Sequence, residues 1–341
     1  MKFEIITEYP DPTLEQKWFD FLPNSTYPSH YTSPGFFKMP YWENQNPFAV
    51  LVLDGQKVVG VSCGLNQNDQ INSGIEVRPQ VSFARDSDEG EIAKTMFEGL
   101  LRLGGETGEF ITLHSLSKID AFEELGFKTK KAEGSFEVVL LDLAAGSEEI
   151  FKNFSQSRRS DLRKVMRQDK VRVTQVETLE ELAELHEIHI DWCKVKEVEP
   201  DTWEQFEIAW KQKDYKRIFI AKTEGKIIAG SYFRFYKGGL VEYAANNSIP
   251  EYRNLRPNDL LVWKAIEWSC ENGFSHFSMG GSHLFLRRFG GNMVASYRYQ
   301  FDRTLFKKHA VKEALSGMAI RTYQNLPDST RQKIKRVLGR Q

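Results

Sequence analysis

Residues 240–291 read LVEYAANNSIPEYRNLRPNDLLVWKAIEWSCENGFSHFSMGGSHLFLRRFGG, and the order of elements in this stretch decides the fold. Residues 240–245 are an apolar run that predicts a strand. Asn246, Asn247, Tyr252 and Arg253 carry the chain through a turn to Pro257, which suits a first helical turn because the N–H it lacks would be unsatisfied there anyway. The helix then runs to about Asn272-Gly273. Spaced at ~100° per residue, Lys264, Glu267 and Glu271 share one narrow stripe, while Leu261, Val262, Ala265, Ile266, Trp268 and Cys270 cover much of the remaining circumference. Such a helix is mostly buried. A second strand follows at 276–279, then Gly280-Gly281-Ser282, and then Phe285-Leu286-Arg287-Arg288-Phe289-Gly290-Gly291.

Moving outward, the chain carries two hairpins of one pattern. Residues 48–62 read FAVLVLDGQKVVGVS and residues 218–232 read IFIAKTEGKIIAGSY. In each, an apolar strand meets an acidic residue and a glycine, Asp54-Gly55 or Glu224-Gly225, a pair suited to a tight hairpin turn. Downstream, a helix at 91–103 leads to a strand at 110–114, as the helix at 258–271 leads to the strand at 276–279. Two matches in the same order point to duplication. Each half is then a mixed, mostly antiparallel sheet flanked by helices, an α/β (α+β) layer arrangement. The break falls near residues 142–148, where Ala144-Ala145-Gly146 interrupts a strand at 136–143 and Ser147 opens a helix with Glu148 and Glu149 in its first turn, where the helix dipole favours negative charge. This gives an N-terminal domain at 1–145, a C-terminal domain at 146–305 and a basic helical tail at 306–341.

With 341 residues the chain is long enough for two cores. Its 46 Lys and Arg against 47 Asp and Glu leave almost no net charge, so no uniform field draws it to nucleic acid, and DNA is not an expected partner. Cys63, Cys193 and Cys270 lie far apart without metal-ligand spacing, which argues for a reducing compartment. Residues 1–11 carry no apolar core of signal-peptide length and no stretch approaches the ~18 apolar residues that span a bilayer, so the expected location is the cytoplasm.

The stretch 240–291 resembles the catalytic half of FemAB-like members of the GNAT acyltransferase superfamily. Three further stretches carry the same resemblance. Phe122-Glu123-Glu124-Leu125-Gly126-Phe127 is similar to the helix and Gly-Phe that close many GNAT sheets. Residues 155–164, SQSRRSDLRK, resemble the helix that opens the second half, and Pro250-Glu251-Tyr252-Arg253 through Pro257 resembles the donor-site segment. The resemblance implies two tandem GNAT-like domains that move an acyl or aminoacyl group to an amine, with acyl-CoA or aminoacyl-tRNA as donor and no permanently bound cofactor. It also implies an amine-bearing envelope or peptidoglycan precursor, or an aminosugar, as acceptor. A noncatalytic module of the same fold that binds a glycan, a lipid-linked precursor or RNA is the competing expectation.

The expected site follows from these likenesses. A glycine-rich phosphate cradle at a helix N-terminus is missing: the equivalent residues are Arg253-Asn254-Leu255-Arg256-Pro257-Asn258, and Pro257 removes a donor. Arg253 and Arg256 can still pair with phosphate through their guanidinium groups, and Asn246, Asn258 and Arg287 complete the expected donor contacts. The family's Phe-Lys-x-x-Phe-Gly element has Leu286 where the lysine is expected, so Arg287 or Arg288 would have to supply the positive charge. Attack by an amine needs positioning and stabilisation of the developing oxyanion. The candidate catalytic residues are therefore Tyr243, Tyr252, Ser282 and Arg288, with a tyrosine passing the proton to the leaving group; a packed tyrosine is the plain alternative.

For the acceptor, Lys38 and Trp42 occupy the region where FemAB-like relatives hold theirs, with residues 66–72 as an adaptable polar loop beside them. Arg158, Arg159, Arg163, Lys164 and Arg167 make one helix basic, which is either a solvated face or a contact for tRNA backbone or a diphosphate-linked acceptor. His186-Glu187-Ile188-His189 falls one residue short of the His-Glu-x-x-His zinc pattern, so no metal is expected. In the tail, Ser329 or Asp328 can cap a short helix bearing Ile334, Val337 and Leu338, a basic segment suited to peripheral contact with an anionic membrane face.

Overall fold

A computed structural model of the chain describes residues 1–42, 44–67, 70–74, 78–105, 109–131 and 137–309, with isolated positions beyond. The strands are β1 (Lys2–Ile6), β2 (Pro47–Asp54), β3 (Lys57–Gln67), β4 (Gln70–Ser73), β5 (Val81–Phe83), β6 (Phe110–Ser115), β7 (Lys128–Lys131), β8 (Val138–Asp142), β9 (Arg172–Gln175), β10 (Lys216–Thr223), β11 (Lys226–Phe235), β12 (Leu240–Ser248), β13 (His276–Ser278), β14 (Asn292–Val294) and β15 (Tyr297–Asp302). The helices are α1 (Pro12–Phe21), α2 (Glu89–Gly104), α3 (Ala121–Glu124), α4 (Gly146–Asn153), α5 (Gln156–Gln168), α6 (Leu179–Lys196), α7 (Trp203–Lys211), α8 (Pro257–Glu271) and α9 (Leu284–Arg287).

Two mixed sheets result. One has the order β1-β2-β3-β4-β6-β15-β7 with β5 also on β3, and the other the order β14-β8-β13-β12-β11-β10-β9. Each is antiparallel except for one parallel pair, β4 with β6 and β12 with β13. The tandem α/β arrangement expected from the paired hairpins is therefore present. Each sheet also takes a strand from across residue 145: β8 lies in the second sheet, and β15 lies in the first.

The likeness of the two hairpins extends to their defects. Asp54 pairs with Lys57 and Leu53 with Val58, but Val52 pairs with Gly60, leaving Val59 as a bulge. Thr223 pairs with Lys226 and Lys222 with Ile227, but Ala221 pairs with Ala229, leaving Ile228 in the same place. A bulge adds local twist and bends its strand, and the two hairpins carry it at the same place. The second turn is held by Glu224 at φ 51° and Gly225 at φ 83°, the left-handed pair that tight hairpins need.

In the second half, α8 packs against β10, β11 and β12 and buries Leu260, Leu261, Val262, Trp263, Ala265 and Ile266, while Lys264 and Glu271 stay exposed, as its sequence stripe requires. α6 and α7 cover the opposite face with a smaller apolar cluster built on Leu182, Leu185, Phe206, Ile218 and Ile220. Ser155 caps α5 by accepting from the Arg158 N–H at 3.2 Å. One expectation changes. The described part of the polar stretch 66–72 is not a free loop, because Asn66 and Gln67 extend β3 and pair with Gln70 and Ile71 of β4. The expected tail helix, with Asp328, Ser329, Ile334, Val337 and Leu338, lies outside the described residues. No helix among the described residues is long and apolar enough to cross a membrane.

Candidate functional site

The second sheet opens where β12 and β13 part. Their parallel pairing runs from Leu240 with His276 to Glu242 with Ser278 and stops there, while β12 continues to Ser248. At the parting point Gly280 stands at φ 67°, and a Cβ there would lie 2.4 Å from the Tyr243 carbonyl oxygen, so only glycine turns the chain away. The departing segment crosses to β8, with the Val139 N–H donating to the Gly281 carbonyl at 3.1 Å. Beyond Glu242, β12 thus has no strand partner on that side among the described residues.

A bulge on the other side of β12 shapes the opening further. The register with β11 shifts so that Tyr232 faces Ala245 and Phe233 faces Tyr243, leaving Ala244 unpaired. Its carbonyl accepts from Arg78 Nη2 at 3.1 Å, a contact from the first half of the chain. Under the cover of α6 and α7, beside this bulge, lies a cavity of about 320 Å³. Its floor is Ile218, Tyr232 and residues 244–247, and its walls are His189, Trp192, Asp201, Phe206, Lys216 and Arg234. Tyr41 reaches in from the first half and donates its hydroxyl to Asp201 Oδ2 at 3.1 Å.

The electrostatics here are unusual. One transverse row across three strands holds Lys216, Arg234 and Glu242, since Lys216 pairs with Arg234 and Arg234 with Glu242. All three are buried or nearly so, and Arg78 adds a second guanidinium, its Nε 2.7 Å from Glu242 Oε1. Arg234 Nη1 stands 3.8 Å from Glu242 Oε2 and donates to the Tyr31 hydroxyl at 2.8 Å. Burial alone would push the Glu242 carboxyl up, but Arg78 and Arg234 outweigh it and hold it below its ordinary value. Glu242 thus faces both arginines. Lys216 ends the row, 7% exposed, and its Nζ has no hydrogen-bond partner. Burial first, then Arg234, bring its pKa down to about 7 against a smaller pull from Asp201.

His189 is held in one state. Its Nε2 accepts from the Asp201 N–H at 2.9 Å, so the proton sits on Nδ1, which donates to Asn247 Oδ1 at 3.2 Å. Burial lowers its pKa, and Asp201 only partly restores it. It faces the cavity as a neutral ring whose lone pair is already taken. A second hollow of about 590 Å³ lies next to the first, bounded by Trp192, Lys226, Ser248, Pro250, Glu251 and Arg253. Trp192 belongs to the walls of both.

Of the residues expected from sequence, Asn246 lines the cavity and Arg253 the neighbouring hollow. The expected catalytic set is not brought together. Tyr243 projects from the other face of β12 into the core, 5.6 Å from the Phe233 ring, with its hydroxyl buried and unpartnered and burial pushing its pKa well up. Tyr252 packs at the edge of that core under the Lys226 ammonium, 5.7 Å from its ring. Ser282 is buried and its carbonyl accepts from Arg287 Nε. Arg288 is exposed, and its carbonyl accepts from the Ser155 N–H at 2.9 Å. Asn258 donates to Ser248 Oγ at 3.3 Å, and Arg256, left-handed at φ 51°, pairs with Asp161 at 2.8 Å and Asp259 at 3.3 Å.

The acceptor candidates also lie apart. Arg158 is an internal structural group: it is 2% exposed, ion-paired with Asp259, donates to the Phe285 carbonyl at 3.1 Å, and lies over the Phe285 and Phe289 rings at 4.6 and 4.3 Å. Arg159 Nη1 donates to the Lys152 carbonyl at 2.5 Å and to the Phe154 carbonyl. Lys38 sits over Tyr9 and Tyr215 at 4.4 and 5.1 Å, and Trp42 Nε1 donates to the Phe36 carbonyl at 2.8 Å. Tyr41, between them in sequence, is the one that reaches the cavity. Leu286, where a lysine was expected, points into the core. No group of three or more potential metal ligands occurs among the described residues.

The model of the acetyltransferase (GNAT) domain family matches residues 152–307. No curated protein matches the chain. Among solved structures, the crystal structure of FemX is similar with a TM-score of 0.68 at 12% identity, covering 87% of this chain and 97% of that one. The structure of L-PGS from Bacillus licheniformis is similar with a TM-score of 0.58 at 14% identity, covering 93% and 98%. A tandem GNAT protein from the clavulanic acid biosynthesis pathway is similar with a TM-score of 0.55 at 9% identity, covering 89% and 99%. Those identities show likeness of fold: the chain has the tandem GNAT fold of these structures, and residues 152–307 are the part that matches the GNAT domain model.

Proposed function

We propose that this chain is an N-acyltransferase that carries an acyl or aminoacyl group from acyl-CoA or aminoacyl-tRNA to an amine of a cell-envelope precursor or aminosugar. The acceptor nitrogen enters the cavity beside the β12 bulge, and the activated carbonyl lies along the unpaired edge of β12. The observation that carries this reading is the parting of β12 from β13 next to a walled cavity lined with charged groups. An unpaired strand edge offers backbone N–H groups to a carbonyl oxygen, and a walled cavity holds the amine within the ~3–3.5 Å that attack requires.

The donor's carrier approaches through the neighbouring hollow, where Lys196, Lys226 and Arg253 stand among the carboxylates Glu184, Glu187, Asp191 and Glu251. Trp192, shared by both walls, marks where carrier and acceptor meet. Residues 146–305 supply most of this site, with Tyr41 and Arg78 contributed from 1–145. A basic tail at 306–341 fits peripheral contact at the cytoplasmic membrane face. One observation favours a second reading, a binding module without catalysis: the position where relatives place a lysine holds a core leucine, Leu286.

Purified protein is incubated separately with acetyl-CoA, longer acyl-CoAs and charged tRNA, each with ethylamine and glucosamine, and acyl transfer to nitrogen is followed by mass spectrometry. Transfer from one donor class is expected, with thermal protection by that donor. Protection without transfer from any donor supports the binding module and removes the catalytic reading.

A further inference from the structure

The cavity contains a group that neither the matched family nor the sequence motifs assign, and the geometry assigns it a role: we propose that Lys216 is the base that takes the proton from the incoming ammonium group before attack. This rests on the acyltransferase reading of the cavity. An amine arrives at neutral pH as R–NH3⁺, which has no lone pair and cannot attack a carbonyl. Something in the site must accept a proton first.

Three observations single out Lys216. Its side chain is buried, lines the cavity wall, and its Nζ makes no hydrogen bond, so nothing in the protein holds its lone pair or its proton. The other basic nitrogen in the wall is unavailable, because His189 Nε2 already accepts from the Asp201 N–H and Nδ1 carries the proton given to Asn247. Charge disfavours the ammonium form, since a protonated Lys216 would stand beside Arg234 in a buried row whose one carboxylate, Glu242, already faces both Arg78 and Arg234, leaving only the weaker pull of Asp201. The groups facing it are Arg234 and Tyr232 from β11, Asp201 and His189 from the helical cover, and Tyr41 and His30 from the first half. His30 is itself held neutral by burial, with Lys216 and Arg234 acting in the same direction.

Protons balance simply. Lys216–NH2 takes one proton from R–NH3⁺ to give Lys216–NH3⁺ and R–NH2. The nitrogen lone pair forms the new C–N bond, the bond from the carbonyl carbon to the carrier's sulfur or oxygen breaks, and the leaving atom departs with its electron pair. It picks up the second N–H proton from the collapsing intermediate. Lys216–NH3⁺ then returns its proton to solvent as product leaves. Asp201 stands by to hold the arriving ammonium, and Tyr41, bonded to it, fixes its position.

The test uses the whole chain and two acceptors of similar size, ethylamine, which is protonated at neutral pH, and trifluoroethylamine, which is not. With the donor that supports transfer, Lys216→Met is expected to lower kcat/KM for ethylamine by roughly 10²–10⁴-fold, and for trifluoroethylamine by less than about tenfold. Lys216→Arg, which keeps a cation but cannot give up its proton at these pH values, is expected to behave the same way. Equal losses for both amines would make Lys216 a structural group and overturn the proposal while leaving the acyltransferase reading intact.

A second measurement needs no donor. In protein labelled with ¹³C at the lysine ε-carbon, the resonance missing from Lys216→Met is followed against pH. A midpoint close to 7 is expected; a midpoint near the ordinary lysine value overturns the proposal even if transfer is observed. If the unaltered protein moves no acyl group to either amine from any donor, the reading of the cavity fails, and the proposal fails with it.

Discussion

Replacing Asp259 by alanine leaves a guanidinium in the core with nothing of opposite charge beside it. Arg158 is 2% exposed, and without Asp259 it keeps only the Phe285 carbonyl and the faces of Phe285 and Phe289. Burial already pulls the Arg158 pKa down against the upward pull of Asp259, so desolvation is the larger effect even in the intact pair. Arginine does not shed its proton at working pH, and the cost of a buried ion left without its partner is about 3–5 kcal/mol. The assay is urea unfolding at pH 7 followed by tryptophan fluorescence, in which Trp263 reports because it packs 5.0 and 5.5 Å from the Phe151 and Phe154 rings of the same core. The companion is Arg158→Met with Asp259→Leu, which replaces the pair by apolar groups of similar volume. It is expected to fall within ~1 kcal/mol of the unaltered protein or above it, because a buried pair costs about as much to desolvate as it returns. A loss below ~1 kcal/mol for Asp259→Ala, the scale of a solvated surface pair, would refute the burial argument and reopen Arg158 as a ligand contact.

Further expectations follow from the same physics. Lys216→Met should stabilise the protein at pH 7 by on the order of a few kcal/mol, since a lysine whose folded pKa is lowered favours the unfolded chain at every pH below its unfolded value. In the unaltered protein stability should rise with pH from about 7 toward 10, and urea midpoints for the variant that lack this rise check the sign. Glu242 has a depressed folded pKa, so its contribution is present above its unfolded value and is lost as pH falls through the folded one. Glu242→Gln should flatten that acid limb and cost about 3–5 kcal/mol at pH 7 by leaving Arg78 and Arg234 uncompensated. Gly280→Ala should destabilise by ~2 kcal/mol or more, from left-handed strain and a clash with the Tyr243 carbonyl; an unchanged midpoint would mean the parting of the strands needs no glycine. Tyr243→Phe should keep turnover, because the ring points into the core beside Phe233 and away from the cavity, and a large fall in turnover would return Tyr243 to the site.

What the sequence made legible was periodic. The twin hairpins, the buried helix after Pro257 and the glycine exit at 280–281 are local patterns, and each appears where its residues imply. Of the expected site residues, Asn246 lines the cavity and Arg253 the neighbouring hollow, and both sit on the segment that carries the family resemblance. Tyr243 was misplaced because a strand sends alternate side chains to opposite faces, and the Ala244 bulge reverses that alternation without a local signal. Arg158 looked like part of a solvated basic stripe, since its partner, Asp259, lies about a hundred residues away. One further signal lies in β10. Lys216 falls in phase with Ile218 and Ile220 on the apolar face of β10, and a lysine in step with core residues marks a charge held inside for a reason.

The exchange of strands across residue 145 makes the two sheets inseparable. β8 sits between β13 and β14, and β15 sits between β6 and β7, so each sheet is completed from within by a strand belonging to the other part of the chain. A duplicated ancestor with independent halves can lose or swap one; this chain cannot. Cutting it at the obvious linker would leave an unfilled slot inside both sheets, so neither fragment should stand alone. Two fragments made together should reassemble only by threading each lone strand home.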